Sequence, residues 1–191
     1  MAKRILKALG DRNIVLVGMM GAGKTSIGKR LAAVLGIPFT DADNEIEIAA
    51  NMTIPEIFET YGEDHFRDGE RKVIARLLQE GPKVIATGGG AVSNPETRRR
   101  IERRSVAIWL KADIAVLLER VKRRSNRPLL RDPDPEAVLR QLAGERAQYY
   151  GCAEITVASH NAPHNVVVCE ILDRLDHYLA GNKTGSSEHE T

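Results

Sequence analysis

Residues 13–25 read NIVLVGMMGAGKT, and the fold follows from how that run divides. Its first half is short, apolar and β-branched and ends in glycine, as a buried parallel strand would. Its second half, Gly18 to Thr25, matches G-x-x-x-x-G-K-[ST] in full and sits between that strand and a helical pattern. Gly18, Gly21 and Gly23 permit backbone angles that larger residues resist, so consecutive N–H groups can converge on phosphate oxygens. The helix N-terminus behind them adds its positive dipole end. Lys24 supplies a positive charge for the β- and γ-phosphates, and the Thr25 hydroxyl is placed to ligate Mg²⁺. The run predicts a nucleoside triphosphate site.

Working outward, Ile27, Leu31, Ala32, Val34 and Leu35 recur at helical spacing until Gly36 stops them. Strand-like runs then alternate with helical ones. IPFTDAD (37–43), KVIATGGG (83–90), SVAIWL (105–110) and EITVAS (154–159) read as strands. Helices are expected from Thr53-Ile54-Pro55 onward, over 63–80, from Pro95, and over 113–123, 136–150 and 166–179. SNRPLLRDPDP (125–135) carries three prolines and reads as an irregular loop. Such alternation predicts an α/β fold: a three-layer α/β/α sandwich around a central, mostly parallel five-stranded sheet of the P-loop NTPase type. Ligands of such sheets sit at the carboxyl ends of the strands. One domain is expected over 1–180 with a mobile lid at about 124–135, followed by a disordered tail over 181–191.

Composition removes several classes. The chain has 191 residues, 42% of them hydrophobic and 28% charged, with 28 Lys and Arg against 26 Asp and Glu. That balance fits a soluble globular domain and argues against a strongly basic nucleic-acid binder. No apolar run is long enough for a membrane span, and the N-terminus lacks the pattern of a signal peptide. Cys152 and Cys169 form no zinc-like cluster and are expected to be reduced thiols in a cytoplasmic protein. His160 and His164 straddle Pro163 and read as surface-loop residues rather than a metal pair.

Several residues could receive the phosphate. Asp41 and Asp43 end the second strand as DAD, where positions i and i+2 would point to the same side, close to the phosphate loop. One could hold Mg²⁺ through water and the other could grip an acceptor hydroxyl and accept its proton. Alternatively, the pair caps the next helix. Arg67, in HFRDGER, taken alone is an ordinary i,i+4 partner on a solvated face. Gly88-Gly89-Gly90 suits a backbone that passes close to a ligand, or a plain flexible turn. Arg127 lies on the proline-rich segment, where an arginine can reach transferring phosphates. Arg146 lies near the end of a helix, where a surface charge is the simpler alternative.

The ordered set GMMGAGKT, DAD, FR in HFRDGER, TGGGA (87–91), RPLL (127–130) and ERAxYY (145–150) resembles the shikimate kinases, from about residue 13 to 178. The resemblance implies that Gly21, Ala22, Gly23, Lys24, Thr25 and Ser26 bind the ATP phosphates, with Thr25 and Asp41 at Mg²⁺. It implies Asp43 as general base on the acceptor hydroxyl, Arg67 and Arg146 on the shikimate carboxylate, and Gly89 as a backbone contact to the ring. Arg127 would be the lid arginine and Arg120 an adenine-side contact. The implied reaction makes shikimate 3-phosphate and ADP from shikimate and ATP, with no nucleic acid or membrane partner. No long apolar surface stripe in the sequence asks for a partner, so a monomer is expected. One departure concerns EITVASHNAP (154–163), where Ala158 and Ser159 replace the aspartate that often follows the last strand's valine.

Two other functions remain in view. A small-acceptor kinase of the gluconate type would share the scaffold and need the same cationic clamp. A nucleotide-dependent switch or nucleic-acid ATPase would want aromatic platforms, and aromatics are only 4% of the chain. The positive charge is unevenly placed: residues 98–131 carry 12 Lys and Arg against three acidic residues. Beside a phosphate loop, part of that stretch forms a field that attracts anionic substrates.

Overall fold

Five of the predicted runs form the strands β1 (Asn13–Val17), β2 (Phe39–Asp41), β3 (Val84–Ala86), β4 (Ser105–Lys111) and β5 (Ile155–Ala158). They form one sheet in the order β2-β3-β1-β4-β5, every neighbouring pair parallel. The helices are α1 (Ala2–Leu9), α2 (Lys24–Leu35), α3 (Ala42–Ala50), α4 (Ile54–Leu77), α5 (Pro95–Arg104), α6 (Ile114–Lys122), α7 (Pro135–Tyr150) and α8 (His164–Gly181). This computed structural model describes residues 1–122, 133–159 and 162–181. The sequence-predicted lid loop and C-terminal tail therefore lie almost wholly outside the described residues.

β1 is the axis of the core, with all five of its residues buried. Alternation along it sends successive side chains to opposite faces. Leu16 meets α2, which approaches so closely that a Cβ on Gly28 would stand 2.5 Å from the Phe39 ring. A glycine inside a helix costs about 1 kcal/mol relative to alanine, and here that absence lets helix and sheet touch. Val17, on the other face, adjoins Pro95, Arg98 and Ile101 of α5.

The register sets the site. Leu16 pairs with Ala86, and Ala86 with Asp41, so β1, β3 and β2 end level with one another. Three loops therefore leave the same edge side by side: the phosphate loop, the three-glycine segment and the acidic pair.

Two expectations change. The sequence pattern assigns no element to the N-terminal segment, yet residues 2–9 form α1, with Ile5 and Leu9 buried. Its basic residues leave by one face, and Arg4 pairs with Asp176 of α8. The second change concerns DAD. β2 stops at Asp41, which is the N-cap of α3 and whose carboxylate accepts from the Asp43 backbone N–H at 3.1 Å. Asp43 lies in the first helical turn, so the shared side of an extended strand does not apply. An aspartate that satisfies an orphan N–H ends the strand sooner than apolar patterning suggests.

Thr53 caps α4 as expected, through a reciprocal capping box with Glu56. α4 breaks at Gly62 (φ 82°, ψ 176°), which separates the two helical stretches the sequence shows.

Candidate active site

The phosphate loop closes on itself. Gly21 (φ 82°) and Gly23 (φ 90°) adopt left-handed backbone angles, and Gly23 is the N-cap of α2. Lys24 is buried and its ammonium group donates to the carbonyls of Gly18 at 2.7 Å and Met19 at 2.9 Å. These bonds hold the lysine inside the loop's curve, where positive charge and helix N–H groups face one way. The Thr25 hydroxyl donates to Asp41 Oδ2 at 2.7 Å. Asp41 thus binds Thr25 with one oxygen and caps α3 with the other.

A cavity of about 520 Å³ opens above this loop. Gly21, Gly23, Lys24, Thr25 and Ser26 line it, with Asp41, Asp43, Gly89 and Arg120 on other walls. Although Asp41 and Asp43 do not share a strand face, both reach the same cleft through the first turn of α3. Ala22 is buried beneath the loop, so any contact it makes to phosphate comes from its backbone.

A second cavity, about 580 Å³, adjoins the first and is lined by Arg67, Glu70, Gly90, Glu145 and Arg146 among others. The three glycines form the ridge between the two, and what approaches them explains their composition. A Cβ at Gly88 would stand 2.7 Å from a Glu70 oxygen and 2.9 Å from an Asp43 oxygen. One at Gly89 would lie 3.6 Å from the Arg146 guanidinium, and one at Gly90 only 2.6 Å from that of Arg67. The segment is a closely packed backbone rather than a flexible turn.

Arg67 does make the ordinary helical pairs, to Glu63 at 3.1 Å and Glu70 at 2.8 Å. It also lies against Gly90 on the wall of the second cavity, so the surface-pair description is incomplete. Burial lowers its pKa, but Glu70 and Glu63 more than offset this and the net direction is upward. Glu70 has 5% of its side chain exposed. Burial pushes its pKa up, Arg67 pulls it down, and neighbouring Asp43 pushes it up again. Sequence reasoning missed Glu70, although a signal existed: it stands among the buried Phe66, Val73, Ile74 and Leu77 of α4. A carboxylate on that apolar stripe needs a partner.

At the far end of the first cleft, Arg120 donates to the Gly21 carbonyl at 3.3 Å and to Ser159 Oγ at 3.0 Å. Ser159, buried, donates to the Ala22 carbonyl at 2.8 Å. The departure from the family pattern at 158–159 thus supplies a hydroxyl that joins β5, the phosphate loop and Arg120. His164, expected in a surface loop, opens α8 and lines the cleft. Burial, with Arg30 and Arg120 nearby, lowers its pKa. Arg127 and His160 lie outside the described residues. No group of three or more His, Cys, Asp or Glu suited to a metal occurs among the described residues.

Comparison with known proteins bears on what the two clefts hold. The family model described as shikimate kinase matches residues 20–176. A shikimate kinase of Rhodopseudomonas palustris is 57% identical over 175 residues, covering 92% of this chain and 86% of the relative. Among solved structures, the shikimate kinase of Acinetobacter baumannii in complex with shikimate superposes with a TM-score of 0.84 and 38% identity, covering 93% of this chain and 98% of that one. A gluconokinase of Sinorhizobium meliloti gives a TM-score of 0.62 at 19% identity, over 92% and 98% of the two chains, and shares the fold alone.

Proposed function

The chain belongs to the shikimate kinase family, and from that premise we propose how its residues transfer the γ-phosphoryl group of ATP to the 3-hydroxyl of shikimate. The observation that carries the assignment of roles is the pair of adjoining clefts. One is lined by the phosphate loop and the other by two arginines, with Asp43 and the glycine ridge between them.

Shikimate has one carboxylate and three hydroxyls. Arg67 and Arg146 take the carboxylate, because a planar guanidinium can donate to both oxygens. The Gly89 backbone bounds the ring. Asp43 orients the 3-hydroxyl and accepts its proton as the oxygen attacks the γ-phosphorus and the bond to the β-phosphate oxygen breaks. The phosphate loop from Gly21 to Ser26 holds the triphosphate. Lys24 shifts from its loop carbonyls toward the transferring group and stabilises the charge that spreads over its oxygens. Arg120 flanks the adenine of ATP. Arg127 is assigned the lid-arginine role, and Arg127→Ala should lower kcat with little change in KM for shikimate. No covalent intermediate is required, since positioning and charge stabilisation suffice for this class.

Thr25 and Asp41 would hold Mg²⁺. Their hydroxyl and carboxylate oxygens converge within 2.7 Å, and hard oxygen donors of this number suit an ion that keeps several waters and phosphate oxygens. When bound, Mg²⁺ neutralises charge on the β- and γ-phosphates.

Among the described residues no helix is long and apolar enough to cross a membrane. We assign the protein as one domain over 1–180, a cytoplasmic monomer, which gel filtration with light scattering tests for mass. The test of function is ADP release with shikimate as the varied acceptor. Turnover of gluconate equal to or above that of shikimate would overturn the choice of acceptor.

A further inference from the structure

Tyr150 ends α7 and is the largest fully buried side chain among the described residues. A phenol ring alone would satisfy that position by packing, and it does stack on Trp109 with centroids 5.7 Å apart. The hydroxyl is the informative part. It donates to the main-chain carbonyl of Gly89, on the ridge between the two clefts. One helical turn earlier on α7 stands Arg146, whose guanidinium also borders this ridge: a Cβ on Gly89 would stand 3.6 Å from its Nη1. A phenol has one proton and free lone pairs. With the proton given to Gly89, Met19 Sδ at 3.5 Å is a packing contact from the phosphate loop.

Tyr150 and Arg146 thus approach Gly89 from the same helix, and the hydroxyl holds its carbonyl directly. Fixing the Gly89 carbonyl also fixes the next N–H. The Gly89–Gly90 peptide is trans, so the Gly90 N–H points opposite to the carbonyl and away from Tyr150. Gly90 lines the arginine cleft. Glycine pairs have no side chains to hold their peptide planes, so an external anchor is needed if this backbone is to keep one orientation.

We propose that Tyr150 is a positioning residue for the acceptor: its hydroxyl locks the Gly89–Gly90 peptide in one orientation beside the Arg146 guanidinium, so that this backbone faces shikimate in a single arrangement. The proposal rests on the shikimate reaction assigned above. Tyr150 does not touch the acceptor and takes no part in the chemical step. Burial raises its pKa to about 12 against the opposing influence of Arg146, so the hydroxyl keeps its proton throughout the working range.

The test uses Tyr150→Phe in the full chain, which removes one oxygen and keeps the ring. Losing one buried hydrogen bond that orients the ridge should raise KM for shikimate by up to about tenfold. KM for ATP and kcat should stay within about twofold, the signature of a lost ground-state contact on one substrate. Trp109, the only tryptophan, gives an independent fluorescence titration with shikimate, and its dissociation constant should shift by the same factor. A purely structural hydroxyl would lower Tm and leave the ratio of the two KM values unchanged, and that result overturns the proposal. If Tyr150→Phe does not fold, difluorotyrosine placed at 150 replaces it, since its phenol ionises at lower pH. KM for shikimate should then climb with pH in the fluorinated protein and not in wild type. Parallel pH profiles would overturn the proposal equally. Wild-type protein that neither binds nor phosphorylates shikimate refutes the assigned reaction and this inference with it. Active wild type with an unaltered variant refutes only the inference.

Discussion

Replacing Gly90 by alanine adds one methyl group where Arg67, proposed to hold the acceptor carboxylate, comes close to the backbone. Gly90 has φ −101° and ψ −7°, a turn conformation open to L residues, so the backbone itself brings little strain. A Cβ built there stands 2.6 Å from Nη1 and 2.8 Å from Nη2 of Arg67. Ordinary contact begins near 3.5 Å, so the guanidinium must retreat by about 1 Å. It is the far end of a flexible side chain, and the stability cost should stay within about 1 kcal/mol. The displaced fork no longer meets the substrate carboxylate squarely. A charge-assisted hydrogen bond contributes about 1.5–3 kcal/mol, which converts to a rise of roughly 10- to 150-fold in KM for shikimate. The assay is coupled ADP release with shikimate varied at saturating ATP, alongside a thermal melt. Gly69→Ala is the control, because a Cβ there meets nothing within 4 Å. An unchanged KM in Gly90→Ala, with an unchanged melt, would refute the placement of Arg67 on the carboxylate.

Lys24→Ala and Asp43→Ala should each lower kcat by roughly 10²–10³ while the circular dichroism spectrum is kept, as single transition-state contacts do elsewhere. Near-normal turnover in Asp43→Ala would remove its role as base. Ser159→Ala cuts the link between Arg120 and the Ala22 carbonyl, so KM for ATP should rise several-fold while KM for shikimate holds. A rise in both would place Ser159 in general stability instead. Glu70 has a native pKa above its ordinary 4.5, chiefly through burial. The folded state therefore holds that proton more tightly than the unfolded chain. The stability this group contributes is full below about pH 4.5 and declines as pH climbs through the native pKa. Glu70→Gln should flatten that decline in urea midpoints measured across the mildly acidic range, and identical slopes would contradict the assignment.

How much of this was legible in the sequence differs from residue to residue. The phosphate loop was readable because its spacing has few stereochemical uses, and NIVLVG before it supplied the strand it needs. The parallel sheet followed from alternation alone. The three glycines were readable as a place of close approach, but not what approaches: Arg67, Glu70 and Arg146 come from α4 and α7, distant in the chain. Asp41 and Asp43 were correctly placed at the cleft by a mistaken geometry. Period-two reasoning assumes an extended backbone, and Asp41 ends the extension by capping α3 itself. Glu70 was lost among the charges of HFRDGER because local pairing explains them so easily, and only its position on the apolar stripe distinguishes it. α1 escaped notice although Ile5, Leu6 and Leu9 lie opposite Lys3, Arg4 and Lys7, because eight residues make only about two turns, too short a window for a helical period to stand out. Its stability comes from docking against α8, a contact that sequence patterning does not encode.

The central claim is that two adjoining clefts hold ATP and shikimate in line for transfer. It is tested most directly by ADP release from the purified chain with Mg²⁺ and ATP, comparing shikimate, gluconate and no acceptor. Rapid saturable turnover with shikimate, giving shikimate 3-phosphate in equal amount to ADP, is the predicted result. ADP release that is independent of acceptor, or that gluconate supports as well, would contradict it.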